Sequence, residues 1–229
     1  MIISVIIPTF NEEKTIVEIL KKVKKQNKDD INLEVIVVDD CSTDNSNELL
    51  KQNSNLYTKL IELDQNLGKG GAIKEGLLNA TGEYILFQDA DLEYDPKDFK
   101  KIFKVINKFE PDLVIGSRFL SPEYTVVNYF FHKIGNKVIT FLFNLLYNST
   151  FTDIYSCYLC YKRELINPSL LKSMGWSQQA EILGTIVKSS SVHYEVPISY
   201  SGRTFEDGKK IKARHTFAVI SMIVKKRLF

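Results

Sequence analysis

Short runs of Val, Ile and Leu punctuate the first half of the chain, and between them apolar residues return every three or four positions. The two periods predict strands at 2–7, 33–38, 58–63, 83–88 and 112–116. Helices are predicted at 12–26, 44–53, 69–80 and 96–108. The strands are apolar almost throughout rather than alternating, as expected when helices cover both faces of a sheet. Regular strand–helix alternation implies an α/β fold with a mainly parallel, twisted, doubly wound sheet and right-handed crossovers. In such sheets ligands bind outside the carboxyl ends of the strands, so the polar residues just after each strand are the candidates for chemistry.

The rhythm changes in the second half. From Val126 to Tyr147, Phe130, Ile134, Val138, Phe141 or Leu142, and Leu145 recur at helical spacing, interrupted by His132, Lys133 and Lys137. This is an amphipathic helix, either packed on the domain or lying in a membrane interface. A strand-like stretch at 155–161, helices near 163–173 and 178–188, and a strand at 192–197 follow. The last segment sets Phe217, Ile220, Met222, Ile223 and Val224 against Lys225, Lys226 and Arg227, a basic amphipathic helix suited to an anionic lipid surface or to the core. The expected organisation is one domain over 1–212 and this terminal helix over 213–229.

Composition adds exclusions. A chain of 229 residues with net charge +2 has no global polycationic character, so nucleic acid is not an expected partner. No signal peptide and no transmembrane helix are expected, because Pro8 ends the first apolar run and no run of about 18 apolar residues occurs. Three cysteines suit a reducing compartment. Cys157 and Cys160 have C-x-x-C spacing, but strand alternation puts positions three apart on opposite faces, which predicts two half-buried thiols rather than a metal or redox pair.

The strand ends then carry the chemistry. After the first comes Pro8-Thr9-Phe10-Asn11-Glu12, with Asn11 suited to an N-cap and Glu12 to a first helical turn. No glycine-rich dinucleotide loop and no P-loop string is present there. After the second, Asp39 and Asp40 lack a local structural use and suit hydrogen bonds from a base N–H or a ribose hydroxyl. After the third, Gly68-Lys69-Gly70-Gly71 either brings backbone and a cation close to a ligand or forms a flexible loop and helix start. After the fourth, Asp89, Asp91 and Glu93 alternate; in extended chain, residues two apart point the same way, about 6.6 Å apart. Such acids share one hard cation or form a solvated acidic turn. After the fifth, Arg118 is placed to meet an anion, and a loop from Gly202 to Lys210 carries Arg203 and Lys209 as a candidate lid over polyphosphate.

Taken in order, Pro8-Thr9-Phe10-Asn11-Glu12, Val37-Val38-Asp39-Asp40-Cys41-Ser42-Thr43-Asp44, Asn66-Leu67-Gly68-Lys69-Gly70-Gly71-Ala72 and Asp89-Ala90-Asp91 resemble the family 2 glycosyltransferases. Gly116-Ser117-Arg118-Phe119, Val196-Pro197-Ile198 and the Arg203 to Lys209 loop narrow the likeness to the branch with dolichyl-phosphate mannose synthase and bacterial polyprenyl-phosphate relatives. The resemblance implies a GT-A-type, Rossmann-like domain with a donor half over about 1–120 and an acceptor half over about 121–212. It implies inverting, metal-dependent transfer of a mannose- or glucose-type hexosyl unit from a GDP- or UDP-linked sugar to a polyprenyl (dolichyl or undecaprenyl) phosphate. Pro8, Phe10, Glu12, Val37 and Asp39 would cradle the nucleoside, and Lys69 would lie on the donor side. Asp89, Ala90 and Asp91 would meet the diphosphate through Mg²⁺ or Mn²⁺, with Glu93 as a further metal ligand. Arg118 would bind the acceptor phosphate, and Arg203 and Lys209 would close over the donor.

Transfer to a hydroxyl of a growing cell-surface glycan is the alternative, with Glu181 or Asp153 as general base. A non-catalytic nucleotide-sugar-binding subunit of a membrane complex is another. The blocks around Ser156–Cys160 and Gly175–Glu181, and Arg214-His215, depart from the family pattern, and all lie on the acceptor side. The expected setting is the cytoplasmic face of a membrane, bound peripherally or through a separate membrane subunit.

Overall fold

β1 (Ile2–Thr9) is the hub of the sheet: Ile3, Val5, Ile6 and Ile7 are fully buried, and it pairs in parallel with β2 (Asn32–Asp39) on one side and β4 (Tyr84–Phe87) on the other. The computed structural model describes residues 1–27, 30–120, 130–202 and 215–228. Beyond β2 lies β3 (Lys59–Glu62), also parallel. On the other flank, β5 (Leu113–Ser117) and β7 (His193–Pro197) pair in parallel, and β6 (Leu159–Lys162) is inserted antiparallel between β4 and β5. The order β3-β2-β1-β4-β6-β5-β7 is therefore mainly parallel with one reversed strand.

The helices follow the apolar periodicity. α1 (Ile16–Lys24) buries Ile16, Ile19, Leu20 and Val23, and α4 (Phe99–Phe109) buries Phe99, Ile102, Phe103 and Ile106, the i, i+3, i+4, i+7 stripe in each case. Fully burying one such side chain is worth about 1.5–3 kcal/mol. α2 (Ser46–Gln52) and α3 (Lys69–Leu78) complete the first half.

Several boundaries differ from expectation for identifiable reasons. α1 starts four residues late because Asn11 takes a left-handed conformation (φ 53°) instead of capping a helix. Its side-chain oxygen instead accepts from Thr43 N (2.8 Å), tying the first strand-end loop to the second. The helix expected near 163–173 is two 3₁₀ turns, Arg163–Leu165 and Pro168–Leu170, since Pro168 lacks the N–H a continuous helix needs. The strand expected at 155–161 sits later, and Cys157 and Cys160 are both buried rather than half-buried: Cys160 lies on β6 inside the sheet, and Cys157 precedes that strand.

α5 (Phe130–Tyr147), α6 (Gln178–Ser189) and α7 (His215–Leu228) pack on one another. α7 is no separate appendage: Val219 and Ile223 are buried, and the Tyr147 hydroxyl donates to Ile223 O (3.0 Å). α5 buries Ile139, Thr140, Phe143 and Tyr147. Its predicted apolar stripe, Phe130, Ile134, Val138, Phe141 and Leu145, faces outward, each residue between 41% and 68% exposed.

Candidate active site

The carboxyl ends of β1, β2 and β4 open onto a cavity of about 310 Å³. Pro8, Thr9 and Phe10 continue β1 into its wall. At the end of β2 the paired aspartates point to different partners. Asp39 accepts from the Ser42 hydroxyl (2.5 Å) and from Asn47 Nδ2 (3.0 Å). Asp40 accepts the backbone N–H groups of Leu67 (2.7 Å) and Gly68 (2.9 Å), so it fastens the glycine loop. Burial pushes the Asp40 carboxyl above its ordinary value, with the Asp39 charge adding to it, while the two N–H bonds pull it down.

The glycine loop does not cradle a ligand through its backbone. Gly70 and Gly71 donate their N–H groups to Met174 O (2.8 and 3.2 Å), so the N-terminus of α3 is capped by a distant carbonyl. Gly68 has φ +78°, and a Cβ there would lie 2.8 Å from Met174 O. The glycines give room to the 172–176 segment. What the loop presents to the cavity is the Lys69 side chain, ion-paired with Asp89 and 5.4 Å from the Trp176 ring centroid. Burial pulls the Lys69 ammonium down, but Asp89 and neighbouring charges outweigh it and hold it above the ordinary lysine value.

Buried Gln88 shapes the acidic loop. It accepts from the Tyr158 hydroxyl (2.9 Å) and donates to Asp89 O (3.0 Å). Thr15 Oγ1 donates to Ala90 O (3.0 Å), and Asp91 accepts from Glu93 N (3.0 Å). Glu93 accepts the Tyr200 hydroxyl (2.9 Å), while its carbonyl accepts Ser201 N (2.9 Å). Burial, then the Glu93 charge, pushes the Tyr200 phenol up, so it donates as a neutral hydroxyl. Among the described residues no three His, Cys, Asp or Glu side chains form a metal cage. Asp89 and Asp91 on one cavity wall suit another mode, in which a hard divalent cation takes one or two carboxylates and completes its shell with phosphate oxygens and water.

A second cavity of about 70 Å³ adjoins the first, and Lys69, Asp89, Glu93, Trp176 and Tyr200 line both. Arg118 lies in the smaller one. Its Nε and Nη2 grip Asp153 in a fork (2.7 and 2.9 Å), Nη2 also donates to Tyr155 O (3.2 Å), and its guanidinium sits 5.2 Å from the Tyr200 ring centroid. Burial opposes the Arg118 charge and Asp153 more than restores it, so the guanidinium stays ionised.

The structure thus gathers Pro8, Phe10, Glu12, Lys69, Asp89, Ala90, Asp91 and Glu93 around the larger cavity and Arg118 in the smaller one. Val37 is fully buried in the sheet, and neither it nor Asp39 is among the residues lining these two cavities. Arg203 and Lys209 lie outside the described residues.

The two expected bases are both buried and bonded. Glu181 is 1% exposed, and its carboxylate accepts Lys172 N (3.1 Å) and Ser173 N (2.8 Å) and pairs with Lys226 (3.5 Å). Asp153 is fully buried and held by Arg118. Both are structural clamps. Trp176 and Tyr200 were missed as cavity walls; the cue available was an aromatic residue in an irregular stretch next to a polar loop.

Comparison with known proteins accounts for this layout. The sequence pattern described as "Glycosyl transferase family 2" matches residues 4–168. The chain is 31% identical over 172 residues to poly(ribitol-phosphate) beta-N-acetylglucosaminyltransferase TarS of Staphylococcus aureus, covering 74% of this chain and 30% of that protein. It is 35% identical over 129 residues to dolichyl-phosphate beta-glucosyltransferase of Dictyostelium discoideum, covering 51% of this chain and 39% of that protein. The chain therefore spans well under half the length of these curated relatives.

Among solved structures, glucosyl-3-phosphoglycerate synthase of Mycobacterium tuberculosis, in complex with Mn²⁺, uridine diphosphate and phosphoglyceric acid, superposes with TM-score 0.73 at 20% identity. That match covers 98% of this chain and 78% of that one. S. aureus TarS in complex with UDP-GlcNAc gives TM-score 0.68 at 22% identity, covering 99% of this chain and 66% of that one. These likenesses establish the GT-A-type, Rossmann-like fold. With the family pattern spanning most of its length and the strand-end loops in the family's order, the chain belongs to glycosyl transferase family 2.

Proposed function

We propose that the protein transfers a glucose-type hexosyl unit from a uridine diphosphate sugar to a polyprenyl phosphate, with inversion, at the junction of the two cavities. The observation carrying this reading is the shared wall of Lys69, Asp89 and Glu93 between a nucleotide-sized cavity and a smaller one that holds Arg118. Pro8, Phe10 and Glu12 receive the nucleoside, and Asp91 and Asp89 hold the divalent cation, Mg²⁺ or Mn²⁺, beside the diphosphate. When bound, that cation neutralises charge developing on the leaving diphosphate. Lys69 adds a second positive charge on the same side.

A phosphate acceptor fits the smaller cavity. Three of the five Arg118 side-chain N–H groups go to Asp153 and Tyr155, and among the described residues its Nη1 pair is left for a phosphate. A phosphate monoester, with a second pKa of about 6, arrives largely dianionic and attacks without a base. Transfer to a glycan hydroxyl needs one, and the two expected candidates, Glu181 and Asp153, are both committed to buried bonds. The relative named as a dolichyl-phosphate glucosyltransferase supports the lipid reading, and the relative named for poly(ribitol-phosphate) supports the hydroxyl reading.

The exposed stripe on α5, flanked by Lys133 and Lys137, with Lys225 and Arg227 at the end of α7, rests on an anionic membrane surface in this reading. Among the described residues no helix is long and apolar enough to cross a membrane. The deciding experiment is calorimetry with UDP-glucose, UDP-GlcNAc and GDP-mannose in the presence of Mn²⁺, followed by transfer assays with a polyprenyl phosphate and a ribitol-phosphate polymer. UDP-sugar binding with transfer to the lipid is expected. Binding of no nucleotide sugar, or transfer to the polymer alone, overturns the proposal.

A further inference from the structure

The segment from Lys172 to Trp176 belongs to no regular element, yet it is fastened at nearly every residue. The Glu181 carboxylate takes the N–H groups of Lys172 and Ser173. Met174 O takes those of Gly70 and Gly71, and the Tyr155 hydroxyl donates to Trp176 O (2.6 Å). Ser173 Oγ and Ser177 Oγ are 2.6 Å apart, and Lys74 donates to Leu171 O (3.1 Å) at the near end. At Gly70 an added Cβ would lie 2.6 Å from the Met174 carbonyl carbon, so any larger residue there would displace the strap. Surface connections are ordinarily the mobile, weakly bonded parts of a fold. This one is anchored from α3, α6 and the chain before β6, and the side chain it delivers is Trp176, half-buried and common to both cavities.

The group that sits between a nucleotide in one cavity and an acceptor in the other is the sugar being transferred, so a role for Trp176 toward that sugar rests on the nucleotide-sugar reading. A hexose offers a C–H face and a rim of hydroxyls. The indole ring matches the first as a broad, rigid apolar plane, and Asp89, Glu93 and Lys69 on the same wall match the second. We propose that Trp176 is the platform against which the transferred hexose is oriented. Glu181, through the strap, is then a positioning residue for Trp176.

Trp176 is the sole tryptophan of the chain, so its emission reports on its own surroundings. The full chain with Mn²⁺ is titrated with UDP and UDP-glucose by calorimetry and tryptophan fluorescence. UDP-glucose is expected to change the emission beyond the effect of UDP. Trp176→Ala and Trp176→Phe are expected to melt as the wild type and bind UDP as it does. The alanine variant should lose about 30-fold in affinity for UDP-glucose and the phenylalanine variant markedly less. UDP-glucose binding that leaves tryptophan emission unmoved beyond UDP and is matched by Trp176→Ala overturns this inference alone. No binding of UDP or UDP-glucose by the wild type overturns the nucleotide-sugar reading and this inference together.

Discussion

Glu181→Gln keeps the shape of the side chain and removes its charge, which separates a buried clamp from a general base. In the native fold the carboxylate receives Lys172 N and Ser173 N and lies 3.5 Å from Lys226 Nζ, at 1% exposure. A glutamine oxygen can still accept one N–H group, but its NH₂ then faces a donor. Hydrogen bonds to charged groups contribute about 1.5–3 kcal/mol, and an abandoned buried donor costs a similar amount. Lys226 is 28% exposed and adds little once solvent screening is counted. The sum is about 2–4 kcal/mol. At roughly 2–4 °C per kcal/mol for a chain of this size, the melting midpoint should fall by roughly 4–16 °C. Differential scanning calorimetry reads that shift. Well below the new midpoint, turnover should stay within about tenfold of wild type, since removing a general base costs about 10²–10⁴. A variant that melts as the wild type does, yet loses a hundredfold or more in turnover, refutes the clamp and restores Glu181 as a base.

Vesicle flotation checks the membrane-facing stripe: Phe141→Glu with Leu145→Glu should abolish binding to anionic vesicles while leaving the midpoint unchanged, because both side chains are exposed. Binding that survives the double change sinks that assignment. Glu34 gives a pH-dependent prediction. Burial raises its pKa, but bonds from Ser4, Thr81 and Gly82 prevail and hold it below its ordinary value of 4.5. Its contribution is therefore present above the unfolded value and lost as pH falls through the folded one. Glu34→Gln should cost about 1 kcal/mol, or roughly 3 °C, at pH 7, and the gap to wild type should close as pH drops below 4.5. A gap that stays constant with pH contradicts that account.

The sequence could show where the acids, the lysine and Arg118 would gather because that placement follows from local period and from topology. Val/Ile runs separated by amphipathic helices leave little choice but a mainly parallel sheet, and its strand ends lie at one edge. Asp89, Asp91 and Lys69 sit close to such ends, so a small error in an element boundary left them in place. Pairing across the sequence was not legible. β6 enters the sheet antiparallel, and nothing in Leu159–Lys162 specifies its neighbours.

By itself, then, the sequence determined the strand-and-helix alternation, the edge at which the site forms and most of its charged residues, because each rests on spacing along a few residues. Tertiary structure alone decided which of those residues face ligand. Glu181 looks like a free acid in the sequence, and burial beside unpaired backbone N–H groups turns it into a clamp, whereas Asp40 clamps the N–H groups of Leu67 and Gly68 and still lines the larger cavity. Gly70 and Gly71 look like a ligand loop, and the Met174 carbonyl claims their N–H groups. Buried donors and acceptors must find partners wherever the fold brings them, and only the assembled fold says which ones remain for a substrate.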